Sequence, residues 1–397
     1  MPTTPDNIIA FPAAARALTA GRRLIPSRLQ DGRRAVRLTQ TELAERIGVT
    51  RQSVSAYERG DKSPESDTFA KICEALGQPP AFFTAEDAPD FGRYSVRFFR
   101  KVGPDTLRRN EACAVLTTWF AQTARYLDGF VNYPAVDIPQ AAPADPSGRY
   151  SEDEIEAIAE DCRRQWGLGL GPISNVAALI ESKGVALCRY EIEGERIDAF
   201  SFWNGDRPFV FMAAEKESGA RVRFDLAHEL GHLILHRWIE AEEIADPKTL
   251  KIIEREADRF AGAFLLPRRS FPSEVYSIRL DAFLELKRRW RVSVQAMIYR
   301  SSDLGVIDEN QFTNLYKQLS FRKWRTKEPL DDPRQIAIEQ PKLMRRAMEL
   351  ILDGGRVHPD EILADLALSP RIIERFCGLP DGSLAREGGE APDLTLK

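Results

Sequence analysis

The sequence predicts a multidomain, mainly α-helical chain with a helical head and an α+β body. Three observations carry this. A length of 397 residues exceeds one ordinary compact core. Apolar residues recur at helical spacing along most of the chain. Strand-like runs gather between Val185 and Met212. Charge is nearly balanced, with 56 Lys and Arg against 60 Asp and Glu, so any basic character is local. No apolar run is long enough to span a bilayer, and the start lacks a charged-then-apolar leader. That predicts a cytoplasmic protein without membrane contact. Cys73, Cys113, Cys162, Cys188 and Cys377 are scattered and form neither a disulfide framework nor a Cys-x-x-Cys pair. They read as reduced and mostly buried.

Residues 1–20 read as a loose tail and residues 21–88 as a small helical domain. Thr39 caps a helix whose buried stripe is Leu43, Ala44 and Ile47, and Gly48 ends it. Thr50 caps a second helix that buries Val54 and Tyr57 and closes at Gly60. Two short helices around such a turn make a helix-turn-helix, whose second helix offers its first residues to the DNA major groove. Arg51 and Gln52, long and exposed at that start, suit guanine and adenine edges. Arg22, Arg23, Arg28, Arg33, Arg34 and Arg37 make the preceding stretch basic, as phosphate contacts require. A helical bundle used for protein contact would show the same pattern.

The run from Leu38 to Gly60, with Ser63-Pro64 and the helical stretch from Thr68 to Gly77, resembles the XRE family of DNA-binding domains. The resemblance implies a five-helix, lambda-repressor-like fold. It places Gln40, Thr50, Arg51, Gln52 and Ser53 at positions that contact a double-stranded DNA operator, with a homodimer as the expected binding form.

Residues 89–149 read as a helical connector followed by a Pro-rich linker. Residues 150–302 read as the α+β body. Ser151 to Glu154 form a capping box, helices are expected near 155–166 and 173–183, and strands near 185–190, 199–203 and 208–212. Helices near 282–290 and 293–302 complete it. Residues 303–383 read as a helical region, with helices near 343–352, 359–368 and 370–377, and residues 384–397 as a disordered tail.

The chemistry-bearing motif follows the last strand. His228, His232 and His236, three of the chain's four histidines, lie within nine residues. His228-Glu229-Leu230-Gly231-His232 is the His-Glu-x-x-His pattern of zinc hydrolases. Positions four apart on a helix share a face, so His228 and His232 can grip one ion. Glu229 lies about a quarter turn round from His228, beside the open coordination position, where a base reaches water. Downstream, a helical pattern ends at Pro267. Its buried stripe is Ile253, Ala257, Phe260, Ala261 and Phe264. Glu254 and Asp258 share another face, whereas Glu256 points almost oppositely, toward solvent or a salt bridge. Glu254 is therefore read as the third ligand. Asp258 is read as the carboxylate that accepts a proton from a ligand imidazole and fixes its tautomer. Two histidines and a glutamate leave a tetrahedral position open, the arrangement of a catalytic zinc. His236 reads as a packed or hydrogen-bonded histidine whose charged form suits the helix C-terminus, outside the catalytic set.

His228 to His236, then Glu254-Arg255-Glu256-Ala257-Asp258-Arg259-Phe260-Ala261 and Leu265-Leu266-Pro267, resemble the ImmA/IrrE family of metallo-endopeptidases. The resemblance implies a zincin-like domain in which His228, His232 and Glu254 hold zinc and Glu229 is the base. Asp198 to Ser201 and Pro208 to Met212 are similar to the family's preceding strands. Many relatives carry an asparagine near Ala213, a departure that touches substrate-edge contacts and not the metal site. An edge strand beside the zinc would hold an extended peptide by strand addition. The implied function is an endopeptidase that cuts a regulatory protein in a stress or mobile-element response. Its substrate would be an XRE-type repressor or the chain itself. The competing class is a non-proteolytic transcription factor whose zinc domain senses a ligand or scaffolds a dimer.

Overall fold

A computed structural model of the chain describes residues 23–86, 94–95, 104–145, 148–190, 199–214 and 218–385. The tail expected at 1–20, Arg22, Asp198 and residues 386–397 lie outside them. The chain divides into two compact units. One comprises 1–90, 99–132 and 345–397, the other 91–98 and 133–344.

The first unit opens with five helices, Pro26–Ala35, Gln40–Ile47, Arg51–Arg59, Ser66–Leu76 and Pro80–Thr84. The second and third form the helix-turn-helix. Thr39 Oγ1 accepts from Glu42 N while the Glu42 carboxylate accepts from Thr39 N, so two otherwise orphaned amides are satisfied reciprocally. Gly48 ends that helix at φ 72°, a left-handed conformation that a side chain would strain. Leu43, Ile47, Val54, Phe69, Ile72, Phe82 and Phe83 are buried in this unit. Each such large apolar side chain contributes roughly 1.5–3 kcal/mol. The helix Pro104–Asp128, expected as a connector, packs on this unit. Trp119 meets Phe82 edge-on at 5.2 Å, and Phe120 packs on Phe376 of the helix Pro370–Cys377 at 5.5 Å.

The second unit holds a three-stranded sheet, β1 (Ala186–Tyr190), β2 (Phe200–Asn204) and β3 (Arg207–Ala213), in the order β1-β3-β2. β1 runs parallel to β3, with Cys188 opposite Phe211, and β2 runs antiparallel, with Ser201 opposite Val210. Alternation sorts the side chains. Phe200 stacks on Phe211 and Phe202 on Phe209, both at 5.0 Å, on one face. Leu187, Trp203, Val210 and Met212 join the core that includes Leu226, Leu230 and Leu233 of the helix Gly219–Leu235. That histidine helix packs against a second, the glutamate helix Pro247–Leu265, which is also flanked by the helix Glu152–Gln165.

Residues 303–344 belong to this unit. Glu339 accepts from the amides of Val176 and Ala177 at 2.7 and 2.9 Å, at the start of the helix Val176–Ser182, and also pairs with Arg223. Gly219 begins the histidine helix where a Cβ would stand 2.5 Å from the Ile336 carbonyl, so only glycine fits. The helix Glu309–Phe321 was not singled out in the sequence. It buries only Leu315 and Leu319, too thin an apolar stripe to stand out.

Candidate metal centre and DNA-reading surface

Two helices bring the candidate metal-ligating side chains together. One ligand atom from each of His228, His232 and Glu254 falls within a 4.8 Å set. The close approach rests on small residues. A Cβ on Gly231 would meet Phe260 Cδ1 at 3.2 Å and the Cα and carbonyl oxygen of Ala257 at 3.3 Å. The glycine of the His-Glu-x-x-His motif is thus the groove into which the glutamate helix settles.

His228 Nε2 and His232 Nε2 stand 3.0 Å apart. The Glu254 carboxylate oxygens lie 3.6 Å from the first and 3.4 Å from the second. On its other side, His228 Nδ1 lies 2.7 Å from Asp258 Oδ1. The carboxylate accepts the Nδ1 proton, which leaves the Nε2 lone pair directed at its neighbours. Burial holds the His232 imidazole below its ordinary 6.5, toward the neutral form a ligand needs. Two imidazole nitrogens and a carboxylate converging on one point fit a zinc-type cation. Glu229 is buried on the same helix, and its backbone carbonyl accepts the Ser201 hydroxyl of β2 at 3.2 Å. A cleft of about 1550 Å³ opens at Asp258 and is also lined by Arg189, Arg221, Phe224, Tyr299 and Lys327.

Three expectations are narrowed or corrected here. Of the two surroundings expected for Glu256, solvent or a salt bridge, the structure excludes solvent and pairs the carboxylate with His236. Glu256 is 5 % exposed, its Oε2 lies 2.9 Å from His236 Nε2, and its Oε1 accepts from Tyr150 N at 3.0 Å. The glutamate helix has packed neighbours on two sides, so a single buried stripe understates what it covers. His236 is packed and hydrogen-bonded, as expected, but burial holds its imidazole well below 6.5, so it is neutral rather than a cation at the helix end. Desolvating a charge outweighs the fraction of a kcal/mol the helix dipole returns. The expected open strand edge is partly taken. Tyr94 bridges antiparallel to Asn204, and Ser95 N donates to Trp203 O at 2.9 Å on the outer side of β2.

In the first unit, Thr50, Arg51 and Gln52 are exposed at the start of the second motif helix. Ser53 is half-buried, with its hydroxyl 3.0 Å from Thr50 Oγ1. Gln40 is half-buried and donates from Nε2 to Glu58 Oε2 at 2.8 Å. The basic stretch is only partly available to phosphates. Arg33 forks onto the buried Glu58 at 2.5 and 3.0 Å, and the buried Arg28 donates to Glu86 O at 2.8 Å. Both tie the helices of the head together, a role their charge alone did not reveal. Arg23 is exposed.

Residues 29–83 match the family model described as Helix-turn-helix, and residues 180–302 match the Peptidase M78 model described as IrrE N-terminal-like domain. A stretch of 50 residues is 46 % identical to an uncharacterized HTH-type transcriptional regulator of Methanothermobacter thermautotrophicus. The stretch covers 13 % of this chain and 72 % of that protein. Among the described residues, no helix is long and apolar enough to cross a membrane.

Proposed function

Since the chain belongs to the HTH-type transcriptional regulators and carries a Peptidase M78-family domain behind its DNA-binding head, we propose that it is a regulator whose second unit is a zinc endopeptidase acting on a regulatory protein. The convergence of His228, His232 and Glu254 carries this reading. Zinc in such a site supplies Lewis acidity and a water whose pKa is brought down to ~7. His228 and His232 present neutral Nε2 atoms, and Asp258 fixes the His228 ring. Glu229 takes the proton of the attacking water and returns it to the leaving amine. The cleft at Asp258 meets the centre at the carboxylate that supports His228, and its lining does not include His228, Glu229, His232 or Glu254. The substrate class that fits a DNA-tethered peptidase is a protein working at the same operator, such as another XRE-type repressor, or a second copy of the chain. The head reads its operator through Arg51 and Gln52, supported by Gln40, Thr50 and Ser53.

The test compares cleavage fragments across the proteome of cells carrying the wild type or Glu229→Gln. Glu229→Gln is expected to keep metal and fold while losing cleavage, because an amide cannot accept the proton. Wild-type protein that controls transcription and cuts nothing under any inducing condition would leave the ligand sensor or dimer scaffold as the function of the second unit.

A further inference from the structure

We propose that His236 and Glu256 form a positioning relay that fixes the ring of His232 for metal binding; this rests on the metal reading above. To offer Nε2 to a cation, a neutral His232 must carry its proton on Nδ1. Opposite that atom, 2.9 Å away, stands His236 Nδ1. It accepts the proton only if His236 carries its own on Nε2, and Glu256 Oε2 lies 2.9 Å from that nitrogen. The carboxylate is oriented in turn by the Tyr150 amide, which donates to Oε1 at 3.0 Å. Each link dictates the next, from a backbone N–H to the ligand nitrogen. The opposite assignment puts a proton on His232 Nε2, directed at His228 Nε2 3.0 Å away, where it takes the place of a cation.

The two ligand imidazoles are therefore supported by different means. His228 leans directly on Asp258, whose side chain is 54 % exposed on the cleft. His232 leans on a buried pair one helical turn further on. Tyr150 closes this end of the site twice, through its amide to Glu256 and through its hydroxyl, which donates to Leu235 O at 3.0 Å. Its ring also lies edge-on to His236 at 6.4 Å. A buried histidine and glutamate that merely satisfied each other would leave the His232 tautomer undetermined. Here Nδ1 of His236 meets the ligand ring itself.

Long-range ¹⁵N histidine spectra of the folded, zinc-loaded wild type read the relay without mutation. His228 and His232 are expected as Nδ1–H tautomers and His236 as the Nε2–H tautomer. A His236 proton on Nδ1 overturns the relay. Zinc competition titrations extend the test to variants. His236→Phe and Glu256→Met keep volume and lose the links, so the zinc Kd is expected to rise roughly 10–100-fold. Glu256→Gln has one acceptor oxygen for two donors, so its amide NH2 opposes either Tyr150 N–H or His236 Nε2–H, and its zinc Kd is expected to rise, but less than in Glu256→Met. The cobalt(II) ligand-field spectrum is expected to shift in the first two variants. Wild-type zinc affinity in a cooperatively folded His236→Phe overturns the relay and leaves the metal reading standing. A wild-type protein that takes up no zinc sinks the metal reading and the relay together, and so separates the two failures.

Discussion

Replacing Gly231 with Ala tests whether helix spacing sets the geometry of the metal centre. The added Cβ would stand 3.2 Å from Phe260 Cδ1 and 3.3 Å from Ala257 Cα and O. Carbon contacts settle at about 3.5–4.0 Å, so the histidine and glutamate helices are expected to part by roughly 0.3–0.5 Å. Two effects on stability oppose each other. Ala improves on Gly in a helix by about 1 kcal/mol. Overpacking costs about 1–3 kcal/mol. The metal-free protein is therefore expected to lose about 0–2 kcal/mol. Zinc affinity has no such compensation. Glu254 rides on the displaced helix, and ligand distances tolerate only about 0.2 Å. The zinc Kd is expected to rise roughly 10–100-fold, the range that follows loss of outer support in other metal sites. Competition against a chelator measures the Kd, and thermal unfolding with excess chelator measures the fold. An unchanged Kd, or a loss matched entirely by destabilisation of the metal-free form, refutes the spacing argument.

Other perturbations separate the two units. Arg51→Ala or Gln52→Ala is expected to cost roughly 1–3 kcal/mol on the cognate operator and to relax preference at individual base pairs, read by gel shifts on substituted sites. Arg23→Ala, at an exposed position, is expected to weaken all sequences alike and to flatten the salt slope by about one phosphate. Arg33→Met removes the cationic partner of the buried Glu58, leaving it the Gln40 amide, and is expected to destabilise the head by about 2–4 kcal/mol, visible in thermal unfolding without DNA. A pH titration of the metal-free protein reads the buried histidines. Burial holds His232 and His236 below 6.5, so below that pH the unfolded chain binds more protons than the folded one. Stability is expected to be full above 6.5 and to fall as pH drops, by at most about 1.4 kcal/mol per unit for each group. Denaturant midpoints that stay flat from neutral pH to pH 5 would show that neither histidine is held neutral by the fold.

The two-unit plan, with a helix-turn-helix head and an α+β body, was legible because its signals are local. Thr39 with Glu42, and Ser151 with Glu154, announce helix starts within four residues of sequence, and both form capping boxes in the structure. The strands around Val185, Ala199 and Pro208 were bounded to within a residue or two because a sheet packed on both faces needs continuous apolar runs. Grouping in space was less legible. The helix Pro104–Asp128 groups with the head, residues 303–344 group with the body, and the chain from Arg345 returns to the head although the body precedes it in sequence. Buried tethers such as Glu339 to Arg223 and to the amides of Val176 and Ala177 join residues more than 100 positions apart. No local pattern marks such pairs.

At the site, spacing was informative where one helix face decided the outcome and silent where two did. Positions four apart put His228 with His232, and Glu254 with Asp258, along single faces, and a helical wheel reads these well. The same wheel sends Glu256 away from Glu254, toward solvent or a salt bridge, and does not say which. The helix Glu152–Gln165 and the chain entering it at Tyr150 cover that side. A buried carboxylate there needs partners, and His236 and the Tyr150 amide supply them. One sequence signal pointed that way. His236 stands at the same four-residue interval from His232 as His232 does from His228. With three ligands already assigned, a third histidine on that face is neither a spare nor a decoration of the helix end. A neutral imidazole can accept at one nitrogen while donating at the other, so it passes the orientation of Glu256 on to the ring of His232.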